Sequence, residues 1–423
     1  AMTLEARNDL LVSMTAEVAS LVLRDAARQS LALSLAERRA VADPALFASL
    51  QEYLEERGGL DADVEFLPNA RERASRLAAG DTYTRPELAI LLAYVKMGTY
   101  RRLLETDFPS EPALLRRLEA DVPAVIRARF AGALAAHPLR REMVSTIATN
   151  VVVDLLGPTF VHRMRRETGG SPATILRAAL MALDLLDAHG LFKRLDATGT
   201  AKAEVRYAAM EELVAAVEGV VAWLVHERHA EASMLDVVAR FGDPLAKVRQ
   251  AMPNLVRGSD KRAFTRRRKT FEREAIAPDL ALQVASLDLM PAAAFAVRVA
   301  EASKRDLVEV AQRFFEVGER LSLTWLRDAL SAQAEGDDWR QVALQGLIMD
   351  LRTLQMRITM DALRLEPRED RGAWERYLAQ RPALAGRYEP ALARVKAEGD
   401  VNVASGSVLV RILEGAIEPG FVT

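Results

Sequence analysis

Two histidines stand three positions apart in the segment His226–His229, and Glu231 follows shortly after them. On a helix this spacing places both imidazoles on one face, where they can hold a metal ion together with a carboxylate. Arg228 lies between the two histidines, however, and no third histidine or any cysteine is near in the sequence. We therefore favour a solvated helix end over a metal site.

A second pair of histidines, His137 and His162, flanks the segment His137–Met164, which carries no chemical motif. Two imidazoles can share acid and base roles in catalysis. We predict a helix cap and a surface residue here rather than a catalytic pair. Adjacent carboxylates such as Glu211-Glu212 and Asp337-Asp338 are also predicted to be solvated, because nothing singles out one pair as acid and base.

The segment Arg257–Arg273 is the one strongly basic run of the sequence. Four consecutive cations, residues 266–269, stand between Phe264 and Phe271. Basic residues interleaved with aromatic ones can bind phosphate groups. Consecutive charges on a helix point all round it, so we favour a solvated face, or a dock for an acidic surface elsewhere in the same protein. Nucleic acid is the less favoured partner.

The sequence lacks the residues that several kinds of binding site and catalysis require. Neither G-x-G-x-x-G nor G-x-x-x-x-G-K-[ST] occurs, so NAD and ATP should not bind by those loops. The absence of cysteine excludes disulfides, thiolate nucleophiles and cysteine-based metal centres. We predict no catalytic, cofactor-binding or metal-binding residue in this chain.

Composition sets wider limits. The 423 residues are half hydrophobic and 27% charged, which is ordinary globular composition with enough apolar residues for a large core. The net charge of −2 gives the whole chain no pull towards nucleic acid or an anionic membrane. Neither a signal peptide nor a membrane-spanning run is predicted, and we expect a cytoplasmic location. Ala1 ahead of Met2 is typical of a tag remnant.

Helical periodicity dominates the sequence, and convincing strand patterns are absent. Start signals support this interpretation, since Asp43-Pro44, Thr84–Glu87 and Ser171-Pro172 are typical of helix N-termini. Gly157 and Gly190 are predicted stops. Tryptophans are predicted to anchor helix packing. The apolar stripes and tryptophans concerned are Leu213, Val217, Val220, Val221, Leu224; Leu88, Leu91, Leu92, Val95; Met143, Ile147, Val151; and Trp223, Trp325, Trp339, Trp374.

The predicted fold class is therefore all-α, a multi-helix assembly of packed amphipathic helices without fixed-period repeats and without a Rossmann sheet. Breaks at Glu167–Pro172, Gly258–Pro278 and Gly336–Trp339 suggest two or three helical subdomains. We place them at residues 1–168, at residues 171–278 with the basic run, and at residues 279–423.

Four segments, in this order along the chain, are similar to the C-terminal helical region of the large bacterial NAD-specific glutamate dehydrogenases. Each is essentially an amphipathic helix, and their order makes the resemblance specific. Residues 190–278 are the least typical part. The four segments are Asn8–Leu35, Arg85–Pro112, His137–Met164 and Phe314–Thr359.

The resemblance implies that residues 1–423 are the C-terminal part of a longer enzyme, which oxidises L-glutamate to 2-oxoglutarate and ammonia with NAD. It also implies that the catalytic groups and the NAD site lie upstream, so we predict no activity and no cofactor for this part alone. The expected partners are the catalytic unit of the same protein and further copies in a homo-oligomer, with a scaffolding or regulatory role. One competing hypothesis is an independent helical module that binds another protein or an effector. A third is an enzyme with an unrecognised site in a helical bundle.

Overall fold

The computed structural model describes residues 2–57, 59–333, 338–365, 372–399 and 401–417. All regular structure in these ranges is helical, so the predicted all-α, non-repeat fold is confirmed. Short 3₁₀ helices cover Phe108–Ser110, His229–Glu231 and Leu287–Leu289, and one π-helix covers Leu384–Tyr388. The α-helices are α1 Leu4–Ala42, α2 Pro44–Glu56, α3 Ala70–Ala79, α4 Arg85–Leu104, α5 Pro112–Ala120, α6 Ala124–Ala135, α7 Arg140–Leu156, α8 Phe160–Thr168, α9 Pro172–Leu185, α10 Ala188–Asp196, α11 Ala203–His226, α12 Met234–Leu255, α13 Gly258–Arg273, α14 Pro278–Ala285, α15 Met290–Ser303, α16 Leu307–Arg320, α17 Leu323–Ser331, α18 Asp338–Leu365, α19 Ala373–Gln380, α20 Glu389–Glu398 and α21 Val403–Glu414.

The predicted helix starts are confirmed. Asp43 accepts a hydrogen bond from a backbone N–H in the first turn of α2 at 3.0 Å. Ser171 does the same for α9 at 3.1 Å, and the backbone N–H of Thr84 donates to Glu87 at 2.7 Å. Each bond satisfies a polar group that a helix end would otherwise leave unpaired.

The predicted stops are right at one glycine and wrong at the other. Gly157 ends α7 with a φ of +90°, a conformation that glycine adopts without strain. Gly190 lies inside α10 instead, three residues after Asp187. Its missing Cβ makes room there, since a Cβ would stand 2.6 Å from a carboxylate oxygen of Asp187.

The segment His137–Met164 forms α7 and the start of α8. A buried helix ending at Gly157 is confirmed, but the predicted face is one residue out of register. Val144, Ala148 and Val152 are buried, whereas the predicted stripe that begins at Met143 is only partly buried. A stripe of i, i+4 apolar residues fits either choice, because neighbouring stripes on a helix differ by 100°.

The chain forms two compact units. The first contains residues 1–165, 169–181 and 228–237, and the second contains residues 166–168, 182–227 and 238–423. In the first unit, the second half of α1 packs with α2, α4 and α7 around a core that includes Phe47, Leu88 and Leu91. The division into residues 1–168, 171–278 and 279–423 stays a prediction of the sequence.

In the second unit, α15 is buried on all sides and contacts α11, α16 and α18. Its ten buried residues include the whole run Met290–Val297. Trp223 of α11 is fully buried and meets Phe241 edge to face at a centroid distance of 5.0 Å. Trp374 is buried as predicted, but Trp339 is 83% exposed and is not a packing anchor.

The prediction that no stretch is long and apolar enough to span a membrane needs a correction. Residues Pro278–Ser303 pass by length and composition, and α7 with α8 pass only as a pair bent by 86°. In the structure, 83% of the most apolar window of Pro278–Ser303 is buried inside the protein. That burial is typical of a core helix.

We expect Gly219→Ala to destabilise the second unit. A Cβ at Gly219 would stand 2.5 Å from Cγ of Pro291, so α11 and α15 would have to move apart. The expected loss in the free energy of unfolding is about 1–3 kcal/mol, measured by urea denaturation. Gly346→Ala is the control, because a Cβ meets nothing within 4 Å there and alanine favours helix. Equal stability of the two variants would contradict the close contact.

Candidate functional site

In the structure, His226 and His229 are not arranged so that they could bind a metal ion together. His226 ends α11, whereas His229 starts a separate 3₁₀ helix. The carboxylate of Glu231 is held by Arg228, with nitrogen–oxygen distances of 2.9–3.2 Å. Among the residues that the structure describes, no three histidine, cysteine or acidic side chains are grouped so that they could hold a metal ion.

The other two histidines have different roles. His137 is exposed, and its Nδ1 accepts the backbone N–H of Leu139 at 3.1 Å, which fits the predicted cap. The predicted surface position of His162 is wrong, because that side chain is only 8% exposed. Its Nε2 lies 3.0 Å from Oγ of Ser49, and its ring packs on Tyr53 at 5.1 Å.

The basic run forms α13, and its cations do not all point in different directions. Phe264 and Phe271 are buried and fix the inner side of the helix. Residues 266–269 do point all round, as predicted, but the residues before and after them complete one exposed face. Within the described chain, none of its members is ion-paired. We call these residues the basic face: Lys261, Arg262, Arg266, Lys269 and Arg273.

Arg267 is the cation of α13 that points inward. It pairs with Glu212 at 2.5 Å and also with Asp288. Two carboxylates therefore share one guanidinium. The predicted solvation of Glu211-Glu212 is wrong for Glu212, whose pKa is raised by burial despite the ion pair. The pair Asp337-Asp338 lies outside the residues whose side chains the structure describes.

Beside this ion pair is a cavity of about 300 Å³ with three carboxylates in its wall, Asp260, Asp288 and Asp328. The pKa of each is raised, mainly because the surrounding protein removes water from the carboxyl group. The pKa of Asp288 reaches about 6, even though Arg267 opposes the shift. Its carboxyl stays in contact with solvent through the cavity, so it can exchange protons near neutral pH.

Buried Arg327 forms a polar network behind this cavity. It donates to Oε1 of Gln355 at 2.8 Å and to Oγ1 of Thr324 at 3.2 Å. Thr324 in turn donates to Asp260 at 3.0 Å. The aspartates thus balance buried positive charge. Structural ion networks shift pKa values as catalytic sites do, so these shifts alone identify no catalytic group.

A second cavity, of about 310 Å³, lies in the first unit, and we call it the arginine cavity. Arg102 and Arg165 both donate to the hydroxyl of Tyr53, Arg165 at 2.6 Å. The guanidinium carbons of Arg57, Arg102 and Arg165 lie 5.6, 5.3 and 5.2 Å from the centroid of the same ring. The rest of the wall is Glu105, Thr106, Ser171, Pro172 and Ala173.

Sequence reasoning missed the arginine cavity. Its three arginines are 45 and 63 positions apart along the chain, on or beside α2, α4 and α8, so no local motif marks them. A partial signal existed, because Arg102 belongs to the segment Arg85–Pro112 and Arg165 directly follows His137–Met164. Only the fold reveals that these segments meet at Tyr53.

The comparison with protein families decides where this helical chain belongs. The family model described as "Glutamate dehydrogenase, C-terminal" matches residues 80–415. The chain belongs to this glutamate dehydrogenase C-terminal family. The match contains the basic face, the three aspartates and most of the arginine cavity, whereas α1, Tyr53 and Arg57 precede it.

Full-length relatives extend the similarity over nearly the whole chain. It is 31% identical over 415 residues to the NAD-specific glutamate dehydrogenase of Pseudomonas aeruginosa, and 28% identical to that of Halomonas elongata. The enzyme of the same name from Mycobacterium tuberculosis is 28% identical over 414 residues. These alignments cover 96–97% of this chain but only 25–26% of each relative. The glutamate dehydrogenase C-terminal chain thus spans about a quarter of their length.

We expect Asp288→Asn to stabilise the chain more at pH 7.5 than at pH 5. The folded-state pKa of Asp288, about 6, is above the unfolded value of ~3.9, so protonation favours folding. That contribution is fully present below the unfolded pKa and is lost as the pH rises through about 6. Asparagine imitates the neutral acid, so the gain in Tm should grow between pH 5 and pH 7.5.

Asp243→Asn is the matched control, because Asp243 is exposed and is not ion-paired within the described chain. Its effect on Tm should be the same at both pH values. A pH-independent effect of Asp288→Asn would show that Asp288 does not titrate in this range.

Proposed function

We propose that this chain is the C-terminal, non-catalytic part of an NAD-dependent glutamate dehydrogenase. The parent would oxidise L-glutamate to 2-oxoglutarate, ammonia and NADH in the cytoplasm. The family match and the three relatives, each named as an NAD-specific glutamate dehydrogenase, support this proposal. NAD is then the cofactor of the parent, with its site in the part of the enzyme that this chain does not span.

The role we propose for the helical chain is to dock on the catalytic unit and hold the oligomer together. The observation that carries this role is the first half of α1. Four of its apolar residues recur at steps of seven, seven and four, so they form one stripe. Leu4 is 66% exposed, Leu11 50%, Val18 39% and Val22 62%.

An exposed apolar stripe on a helix is typical of an interaction surface. The occupant that we propose for it is the catalytic unit of the same protein. The relatives are about four times as long as the aligned region, so most of the parent's surface lies outside this chain. A second copy of the chain and an unrelated partner are the competing occupants, the latter corresponding to an independent interaction module.

We expect Val18→Glu/Val22→Glu in the full-length parent to lower glutamate-dependent NADH formation by on the order of tenfold, because two charges would be buried in an apolar contact. The mass of the native assembly should fall in the same variant if the contact also joins the subunits of the oligomer. Val41→Glu/Val64→Glu, at valines that are 72% and 68% exposed, is the control and should match the parent.

Unchanged activity and mass in Val18→Glu/Val22→Glu would contradict the docking role. Reduced mass with full activity would assign the stripe to contacts between copies. Capture of an unrelated protein by the isolated chain, together with unchanged activity, would favour the independent module.

The basic face is a second surface available for docking, and its proposed occupant is an acidic patch of the catalytic unit. We expect Arg262→Glu/Arg266→Glu in the parent to lower activity or native mass, and the loss should shrink as salt screens the contact. Arg71→Glu/Lys193→Glu, which reverses two exposed cations elsewhere, should have no effect. Filter retention of DNA or RNA at physiological salt that Arg262→Glu/Arg266→Glu abolishes would assign the basic face to nucleic acid instead.

A further inference from the structure

We propose that the arginine cavity binds a small oxyanion that carries at least two negative charges. Arg57, Arg102 and Arg165 gather around one phenol ring, that of Tyr53. Arg102 and Arg165 donate to the same hydroxyl oxygen, so two like charges stand side by side. The ring and hydroxyl of Tyr53 offset part of the repulsion between them, and a bound anion would offset the rest.

The contrast with the rest of the chain supports the proposal. Arg267 meets two carboxylates, and Arg73 meets Glu52 at 3.3 Å and Glu55 at 3.1 Å. In the described part of the chain, by comparison, none of the three cavity arginines is paired with a carboxylate. The fold therefore pairs Arg267 and Arg73 with carboxylates of its own, whereas the three cavity arginines face a cavity without such a partner among the described residues.

The wall of the cavity adds further features that suit an anion. Ser171, Pro172 and Ala173 bring the N-terminus of α9 into the wall, where the helix dipole favours negative charge. Glu105 is the acidic residue of the wall, so the cationic side chains outnumber it three to one. Guanidinium groups bind carboxylate and phosphate through paired hydrogen bonds.

The size of the cavity limits the ligand. A volume of about 310 Å³ lies at the small end of the range for ligand sites, which suits phosphate or a short dicarboxylate better than a nucleotide. Both candidates share the same recognition chemistry, namely oxygen atoms that carry at least two charges. This inference is independent of the proposed docking role and of the parent's reaction.

The test is thermal unfolding of the 423-residue chain at constant ionic strength with sodium phosphate, succinate or chloride alone. We expect phosphate, succinate or both to raise Tm by at least about 2 °C over chloride, because an anion that binds the folded state stabilises it. Arg102→Gln/Arg165→Gln should lose this rise. Arg262→Gln/Arg266→Gln, which removes two charges from the basic face, should keep it.

Ala173→Glu provides a second variant in case the double variant does not fold. It places a carboxylate in the first turn of α9, where it can reach the arginines and favour the helix. We expect a higher Tm without added anion and no further rise with phosphate or succinate. A rise with phosphate alone would identify a phosphate group as the ligand, and a rise with succinate alone would identify a dicarboxylate.

Two results would overturn the proposal. One is the absence of any rise over chloride with both anions. The other is an equal rise in the native chain, in Arg102→Gln/Arg165→Gln and in Ala173→Glu, which would place the anion elsewhere.

Discussion

The burial of the run Met290–Val297 of α15 is the constraint on which the second unit depends. A helix that is covered on all sides requires every neighbour to present an apolar face and to come close. Alanines and a proline on α15, together with Gly219 on α11, allow that approach. The contacts of α15 with α11, α16 and α18 follow from this single requirement. The helices of the second unit therefore pack around one apolar segment.

Clusters of positively charged side chains have two kinds of surroundings in this chain. On α13, Arg267 points into the protein and forms ion pairs with two carboxylates. The basic face points to solvent, where water stabilises its charges. In the arginine cavity, three guanidinium groups share a phenol and meet no carboxylate within the described chain. The first arrangement stabilises a fold by itself. The second is complete only with a ligand, which is why the two sites lead to different proposals.

Local features of the fold could be predicted from the sequence, whereas long-range ones could not. Helix caps at Asp43 and Ser171 depend on two or three neighbouring residues, and they were predicted correctly. The buried face of α7 depends on which helices pack against it, so periodicity placed it one residue away from Val144. Burial of His162 and exposure of Trp339 were missed for the same reason. The arginine cavity joins residues from separate helices, and no spacing in the sequence encodes that meeting.

Asp288 has a further consequence that concerns the chain before it folds. It stands near the middle of Pro278–Ser303, the stretch that is long and apolar enough to cross a bilayer. An aspartate at the centre of an inserting helix costs about 2.5–3.5 kcal/mol, so this one side chain opposes insertion of the nascent segment into a membrane. The folded protein retains the same carboxyl with a raised pKa beside Arg267. The carboxylate that opposes membrane insertion of the nascent segment thus becomes, in the folded protein, an ion-pair partner of Arg267 at a cavity wall.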